Sequence, residues 1–193
     1  MYNKLLIANR GEIAIRICRS AAEMNIPTLA IYSEDDHNSL HHEYADDAIA
    51  LKGKGANAYL DSQQIISIAK KNHCDAIHPG YGFLSENANF AKLCLDNSIT
   101  FVGPTHQQLA LFGDKISARR FAQEHSIPVL PGTQTNTSLA EAKSFFNQLN
   151  EKAPHAMLIK AIAGGGGRGM RIVQQASEIE SAFERCQSEA KSA

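Results

Sequence analysis

The segment with the most chemical content is Lys160-Ala161-Ile162-Ala163-Gly164-Gly165-Gly166-Gly167-Arg168-Gly169-Met170. Gly164, Gly165, Gly166 and Gly167 carry no Cβ, so their backbone N–H groups can wrap closely around an anion. Lys160 adds a point charge at the end of a Leu-Ile-Lys strand, and Arg168 adds a second cation. Phosphate is the anion this set suits. A glycine linker would lack strands on its flanks, whereas here Met170-Arg171-Ile172-Val173 follows directly. G-x-x-x-x-G-K-[ST] is absent, so the loop is not a P-loop.

Ala8-Asn9-Arg10-Gly11-Glu12-Ile13-Ala14 makes a tight strand-to-helix turn, and its helix N-terminus could face an anion. Glu34 lies near the offset at which dinucleotide folds place a ribose-binding acid. A nicotinamide site would need three glycines in the turn, and only Gly11 is there. His78-Pro79-Gly80-Tyr81-Gly82-Phe83-Leu84-Ser85-Glu86-Asn87 sits at the carboxyl end of a predicted strand, where open α/β sheets bind ligands. His37, His41 and His42 include an i, i+4 pair but no companion cysteine, and read as a solvated segment. Lys115, in Gly113-Asp114-Lys115, starts a helix. The serine elbow, H-E-x-x-H and EF-hand patterns are absent.

Those residues need elements to hold them. Leu5-Leu6-Ile7-Ala8 reads as a buried strand. A helix from about Glu12 to Met24 follows, with Ile13, Ile17, Ala21 and Met24 expected on its buried face; Asn25 then suits a left-handed cap. Further strands are read at Thr28–Tyr32, Ala48–Leu51, Asp75–His78 and Thr100–Val102. A helix capped by Asp61 buries Ile65, Ile68 and Ala69, and one capped by Ser85 runs to about Asn97. Strand and helix in alternation predict an α/β fold with a parallel, Rossmann-like sheet covered on both faces. Two helices follow Gly103-Pro104, at Thr105–Phe112 and from Asp114 to about His125. The remainder reads as a helix capped by Ser138 with Glu141, a strand at Met157–Ala161, the glycine loop, a strand at Met170–Val173 and a helix from Ser177. That helix reaches Ala193 without a stop signal, so a longer parent protein is expected.

Composition narrows the class. The chain has 193 residues, 44% hydrophobic and 20% charged, as packed globular proteins do. A formal charge of −1 gives no basic excess for nucleic acid. No apolar run approaches the roughly 18–20 residues that span a bilayer, and no secretory signal is read at the start. The four cysteines, Cys18, Cys74, Cys94 and Cys186, form no C-x-x-C and read as buried free thiols of a cytoplasmic protein.

Taken together, five stretches resemble the amino-terminal part of the biotin carboxylases, the ATP-grasp components of acetyl-CoA, propionyl-CoA, methylcrotonyl-CoA and pyruvate carboxylases. They are Ile7–Ala14, Ala76–Ala88, Phe101–Pro104, Gly113–Lys115 and Lys160–Met170. They stand in the family's order and at its spacing over nearly the whole chain. The resemblance implies a Rossmann-like pre-ATP-grasp domain over 1–103, a helical linker opening the ATP-grasp domain over 104–130, and a partial ATP-grasp lid over 131–193. It implies ATP- and bicarbonate-dependent carboxylation of biotin on a carrier protein. Bicarbonate would attack the γ-phosphate to give carboxyphosphate, which supplies CO₂ to the ureido nitrogen of biotin.

By the same resemblance Lys115, Lys160, Gly164, Gly165, Gly166, Gly167 and Met170 bind ATP. Tyr81, Gly82 and Glu86 line the bicarbonate and biotin end. The first helix, with Arg19 and Glu23, is similar to a helix at the family's dimer interface. Implied partners are a biotin carboxyl carrier, a carboxyltransferase and a second copy of the parent chain. Many members have Ser-Gly or Ser-Ala where Ile162-Ala163 stands here, which removes a hydroxyl but keeps the backbone donors. The family's ligands for Mg²⁺ and its bicarbonate- and biotin-binding arginines lie beyond Ala193, so the chain as given is expected to be inactive alone. The alternative is a non-catalytic dimerisation or nucleotide-binding module derived from an ATP-grasp ligase.

Overall fold

Short, β-branched-rich apolar runs between amphipathic helices give the first of two units, residues 1–113; the second comprises 114–193. The computed structural model describes residues 2–133, 136–151, 153–161 and 169–191. In the first unit, strands β1 (Leu5–Ile7), β2 (Thr28–Tyr32), β3 (Asp47–Ala50), β4 (Ala76–His78) and β5 (Thr100–Phe101) form one sheet, ordered β3-β2-β1-β4-β5. Every adjacent pair is parallel. Successive residues of a strand point to opposite faces. Leu5, Ile7 and Ala76 therefore pack with Ala14, Cys18 and Ala21 of helix α1 (Gly11–Glu23). Leu6, Leu29, Ile31 and Ile77 pack the other way, onto α3 (Ser62–Lys71) and α4 (Ala88–Asp96), which follow the one-turn helix α2 (Gly55–Ala58). Helix α5 (His106–Gly113) lies against α4.

The predicted strands are all present, and Asn25 takes the left-handed conformation at φ 54°. Two local expectations fail. The buried stripe of α1 is turned by one residue, onto Ala14 and Cys18, and Met24 is 57% exposed. Small side chains let α1 approach the sheet closely, and the larger isoleucines flank that seam. Ser85 does not cap α4; it sits in a turn with its N–H on Gly82 O, and Asn87 accepts from Phe90 N at 2.9 Å instead. Asn is as good a cap as Ser, and the glycine-rich turn before it delays the helix.

In the second unit Asp114 caps α6 (Lys115–Glu124), and Ser138 with Glu141 forms a full capping box on α7 (Leu139–Leu149). Strands β6 (Met157–Lys160) and β7 (Met170–Val173) pair antiparallel, and α8 (Ile179–Lys191) follows. Met157, Val173, Ala142, Phe146, Ile179 and Ala182 form its core. All four cysteines are free and buried. Burial pushes Cys18 and Cys74 up to about 11 and Cys94 to about 12, so they are thiols rather than nucleophiles at neutral pH. Among the described residues no helix is long and apolar enough to cross a membrane.

Candidate functional site

The strand order reverses direction at β1, so the switch point of the sheet lies between β1 and β4. Asn9 and the loop after His78 meet there. Asn9 is 2% exposed, and its amide donates to Pro79 O and to Tyr81 O, both at 2.8 Å. Its Oδ1 accepts from Arg10 N at 2.9 Å. One side chain thus pins a loop some 70 residues away in sequence. Gly80, at φ 68°, is demanded by this contact: a Cβ there would stand 2.6 Å from Asn9 Nδ2. Gly80 N in turn donates to His78 Nδ1 at 3.0 Å, which requires that nitrogen to be unprotonated. Burial lowers the His78 pKa, in the same sense. The loop so fixed carries Tyr81, 79% exposed, with Gly82 and Glu86 also exposed.

Beside Asn9, Arg10 pairs with Asp36 at 3.1 Å and lies over the stacked rings of Tyr59 and Phe83. Burial alone would raise Asp36; hydrogen bonds from Tyr59, Arg10 and Ser33 outweigh it and hold the carboxyl below its usual range. The Tyr59 hydroxyl donates to Asp36 at 2.7 Å, and burial pushes it up to about 12. The sequence motifs contain Asn9, Arg10 and Phe83 but not Asp36 or Tyr59. No local signal joins them, because their partners are 23 to 26 residues apart or more. Glu34 Oε1 accepts from Gly53 N at 3.0 Å.

His37, His41 and His42 are not one solvated segment. A 3-10 turn over Leu40–Tyr44 folds His41 inward to 0% exposure, with Nε2 at 3.1 Å from Ile31 O. His37 is exposed. Among the described residues no group of three His, Cys, Asp or Glu could hold a metal ion.

In the second unit, the hairpin pairs Lys160 with Met170 and Leu158 with Ile172. Directly paired residues share a face. Met157, Ile159 and Val173 turn to the core, so the other face carries Lys160, Met170, Leu158 and Ile172. Leu158 and Ile172 are 54% and 69% exposed. An apolar surface ending in an ammonium suits a flat aromatic base joined to phosphate. Lys115 is the first residue of α6, where cation and helix dipole both attract anions; Asp114 alone offsets them, as the cap. The Lys115 ammonium donates to Ala161 O at 3.3 Å, which brings it beside Lys160. Lys160 and Met170 are thus paired on one rung, and Lys115 reaches the carbonyl of the residue after Lys160. Gly164, Gly165, Gly166 and Gly167 lie outside the described residues.

A five-stranded parallel, Rossmann-like sheet in the first unit and an antiparallel β6–β7 pair in the second define the chain as an α/β protein of two units. Residues 1–109 match the family described as biotin carboxylase, N-terminal domain. Residues 114–193 match the ATP-binding domain of the carbamoyl-phosphate synthase L chain. The chain belongs to the biotin carboxylase family. It is 52% identical over 193 residues to pyruvate carboxylase of Bacillus subtilis, covering 98% of this chain and 16% of that protein. It is 44% identical to biotin carboxylase of a Nostoc species, covering all of this chain and 42% of that one. Biotin carboxylase of Campylobacter jejuni, solved with a β,γ-ATP complex, superposes with a TM-score of 0.92 at 39% identity, over 100% of this chain and 43% of that one. The biotin carboxylase domain dimer of Hydrogenobacter thermophilus 2-oxoglutarate carboxylase, with MgADP, ADP and bicarbonate, gives 0.91 at 38%, over 100% and 42%. The chain thus spans less than half the length of each of these relatives.

Proposed function

We propose that the chain is the amino-terminal portion of a cytoplasmic biotin carboxylase, an ATP- and bicarbonate-dependent ligase that carboxylates biotin on a carrier protein. The observation that carries this is the open hairpin face, where Lys160 and Met170 are paired and Lys115 reaches the next residue. Lys115 and Lys160 neutralise phosphate charge, which is most of what phosphoryl transfer asks of a protein. Met170 lines the adenine end, and Gly164 to Gly167 supply backbone donors to the phosphates. Tyr81, Gly82 and Glu86, exposed on the loop that Asn9 pins, face bicarbonate and biotin.

Among the described residues no group of three or more His, Cys, Asp or Glu could hold Mg²⁺. Residues 1–103 act as the pre-ATP-grasp domain, 104–130 as the linker and 131–193 as part of the lid. A carrier protein, a carboxyltransferase and a second copy of the parent chain are the partners. The chain alone, which covers 42% and 43% of two solved biotin carboxylases, is inactive.

The test is differential acetylation of lysines read by peptide mass spectrometry. MgATP is expected to protect Lys115 and Lys160 and to leave Lys70 and Lys92 in the first unit unaffected. Equal labelling of all four with and without saturating MgATP refutes the nucleotide assignment. ATP-dependent carboxylation of free biotin by the chain refutes its inactivity.

A further inference from the structure

A two-stranded ribbon is marginal by itself. The end of this one that adjoins the segment connecting its strands carries Lys160. The β6–β7 register stops at Lys160 and Met170, yet one more rung follows, with Ala161 N donating to Gly169 O at 2.8 Å. That rung is tight: Gly169 has φ 70°, and a Cβ on it would stand 2.8 Å from Ala161 Cβ. Three contacts meet there. Gly169 N donates to Glu189 Oε2 of α8 at 3.0 Å. The other Glu189 oxygen accepts from Arg171. The Lys115 ammonium donates to Ala161 O at 3.3 Å.

We propose that Glu189 is a positioning residue for the two cations, acting through the rung Gly169–Ala161 to hold the end of β6 and the acceptor of Lys115. The assignment of those cations to a nucleotide rests on the reading above. A carboxylate accepting a backbone N–H makes a charge-assisted bond, stronger than a neutral one. It anchors the rung to α8, whose Ile179 and Ala182 are in the core. The Arg171 pair is half-exposed on both sides and by itself contributes little. The hydrogen bond to Gly169 is therefore the part that positions.

The experiment compares this chain with Glu189→Gln, Glu189→Ala and Arg171→Met, without nucleotide. Amide hydrogen exchange is read at Ala161 and Gly169, and acetylation rate at Lys115 and Lys160. Glu189→Ala is expected to speed exchange at both amides about 10-fold, the loss of one charge-assisted bond, and to change Lys115 acetylation by about 3-fold. Glu189→Gln keeps a neutral acceptor and loses less than Glu189→Ala, and Arg171→Met stays near wild type. Core amides at Phe146 and Val173 keep their rates and report that the unit is folded.

Wild-type rates in Glu189→Ala overturn the proposal. So does a loss in Arg171→Met equal to that in Glu189→Ala, or a loss in Glu189→Gln as large as in Glu189→Ala. If Glu189→Ala unfolds the unit, the Gln and Arg171 variants decide it alone. Failure of MgATP to protect wild-type Lys115 and Lys160 counts against the nucleotide assignment and leaves the exchange result standing.

Discussion

Replacing Asn9 tests whether the switch-point loop is held by one side chain. Asn9→Ala deletes the bonds to Pro79 O, Tyr81 O and Arg10 N. At about 1 kcal/mol net for each bond the loss is about 3 kcal/mol, and more if the buried Pro79 carbonyl finds no new donor. Asn9→Asp keeps the shape and inverts the chemistry. An oxygen then stands where Nδ2 donates, 2.8 Å from two carbonyl oxygens. The buried charge has no donor there, so this variant is expected to be less stable than Asn9→Ala at pH 7.

The sign with pH follows. The introduced acid has a folded pKa above its unfolded value of about 3.9, so the native state binds the extra proton and stability is lost as pH rises from about 4. The gap between the two variants therefore widens from pH 4 to pH 7. Urea unfolding, followed by exchange at the Leu6 and Ile77 amides, reads it, with Val173 in the second unit as an internal control. A loss below about 0.5 kcal/mol in Asn9→Ala would refute the reasoning, being what a surface substitution costs. An Asp variant more stable than the Ala variant at pH 7 would do the same.

Other outcomes follow from the same geometry. His41 and His78 have folded pKa values lowered mainly by burial, so both are neutral in the native state and gain protons more readily when unfolded. Their contribution is complete above the ordinary value of 6.5 and is lost as pH falls below it; a denaturation series from pH 8 to pH 5 that is flat would contradict this. The native chain should react with less than one equivalent of a thiol reagent at pH 8 and with all four cysteines once unfolded; rapid native labelling would mean they are not buried. Lys160→Met and Lys115→Met should each weaken MgATP binding roughly 10- to 100-fold, the range of a hydrogen bond to a charged group, as measured by calorimetric titration. Unchanged affinity in both would show that these cations do not meet phosphate.

What could be read in advance was whatever depends on neighbours in sequence. Alternating apolar runs and helical stripes gave the parallel sheet, and Ser138 with Glu141 announced the start of α7. The cationic hairpin was legible because lysine, glycines and methionine are contiguous. What escaped was set by distant partners. Nothing around Asp36 or Tyr59 says that Arg10 will meet them, and nothing around His41 says that a short turn will bury it. Glu189 was equally silent, because its meaning comes from Gly169, 20 residues earlier, across a change of element. The rotated stripe of α1 has a related cause. Periodicity marks which residues are apolar, and close packing then selects the small ones for the seam.

The central place of β1 carries a consequence for the order of assembly. Its pairing with β2 spans one short crossover, whereas its pairing with β4 waits for the chain to reach Ala76. Loop closure is slower and entropically dearer over the longer span. On the ribosome, β1, α1 and β2 can condense first, leaving one edge of the earliest strand open until β4 emerges. The Asn9 clamp would then be among the last contacts made in this unit. Its loss should leave the folding rate nearly untouched and speed unfolding, since contacts absent from the transition state act on that limb.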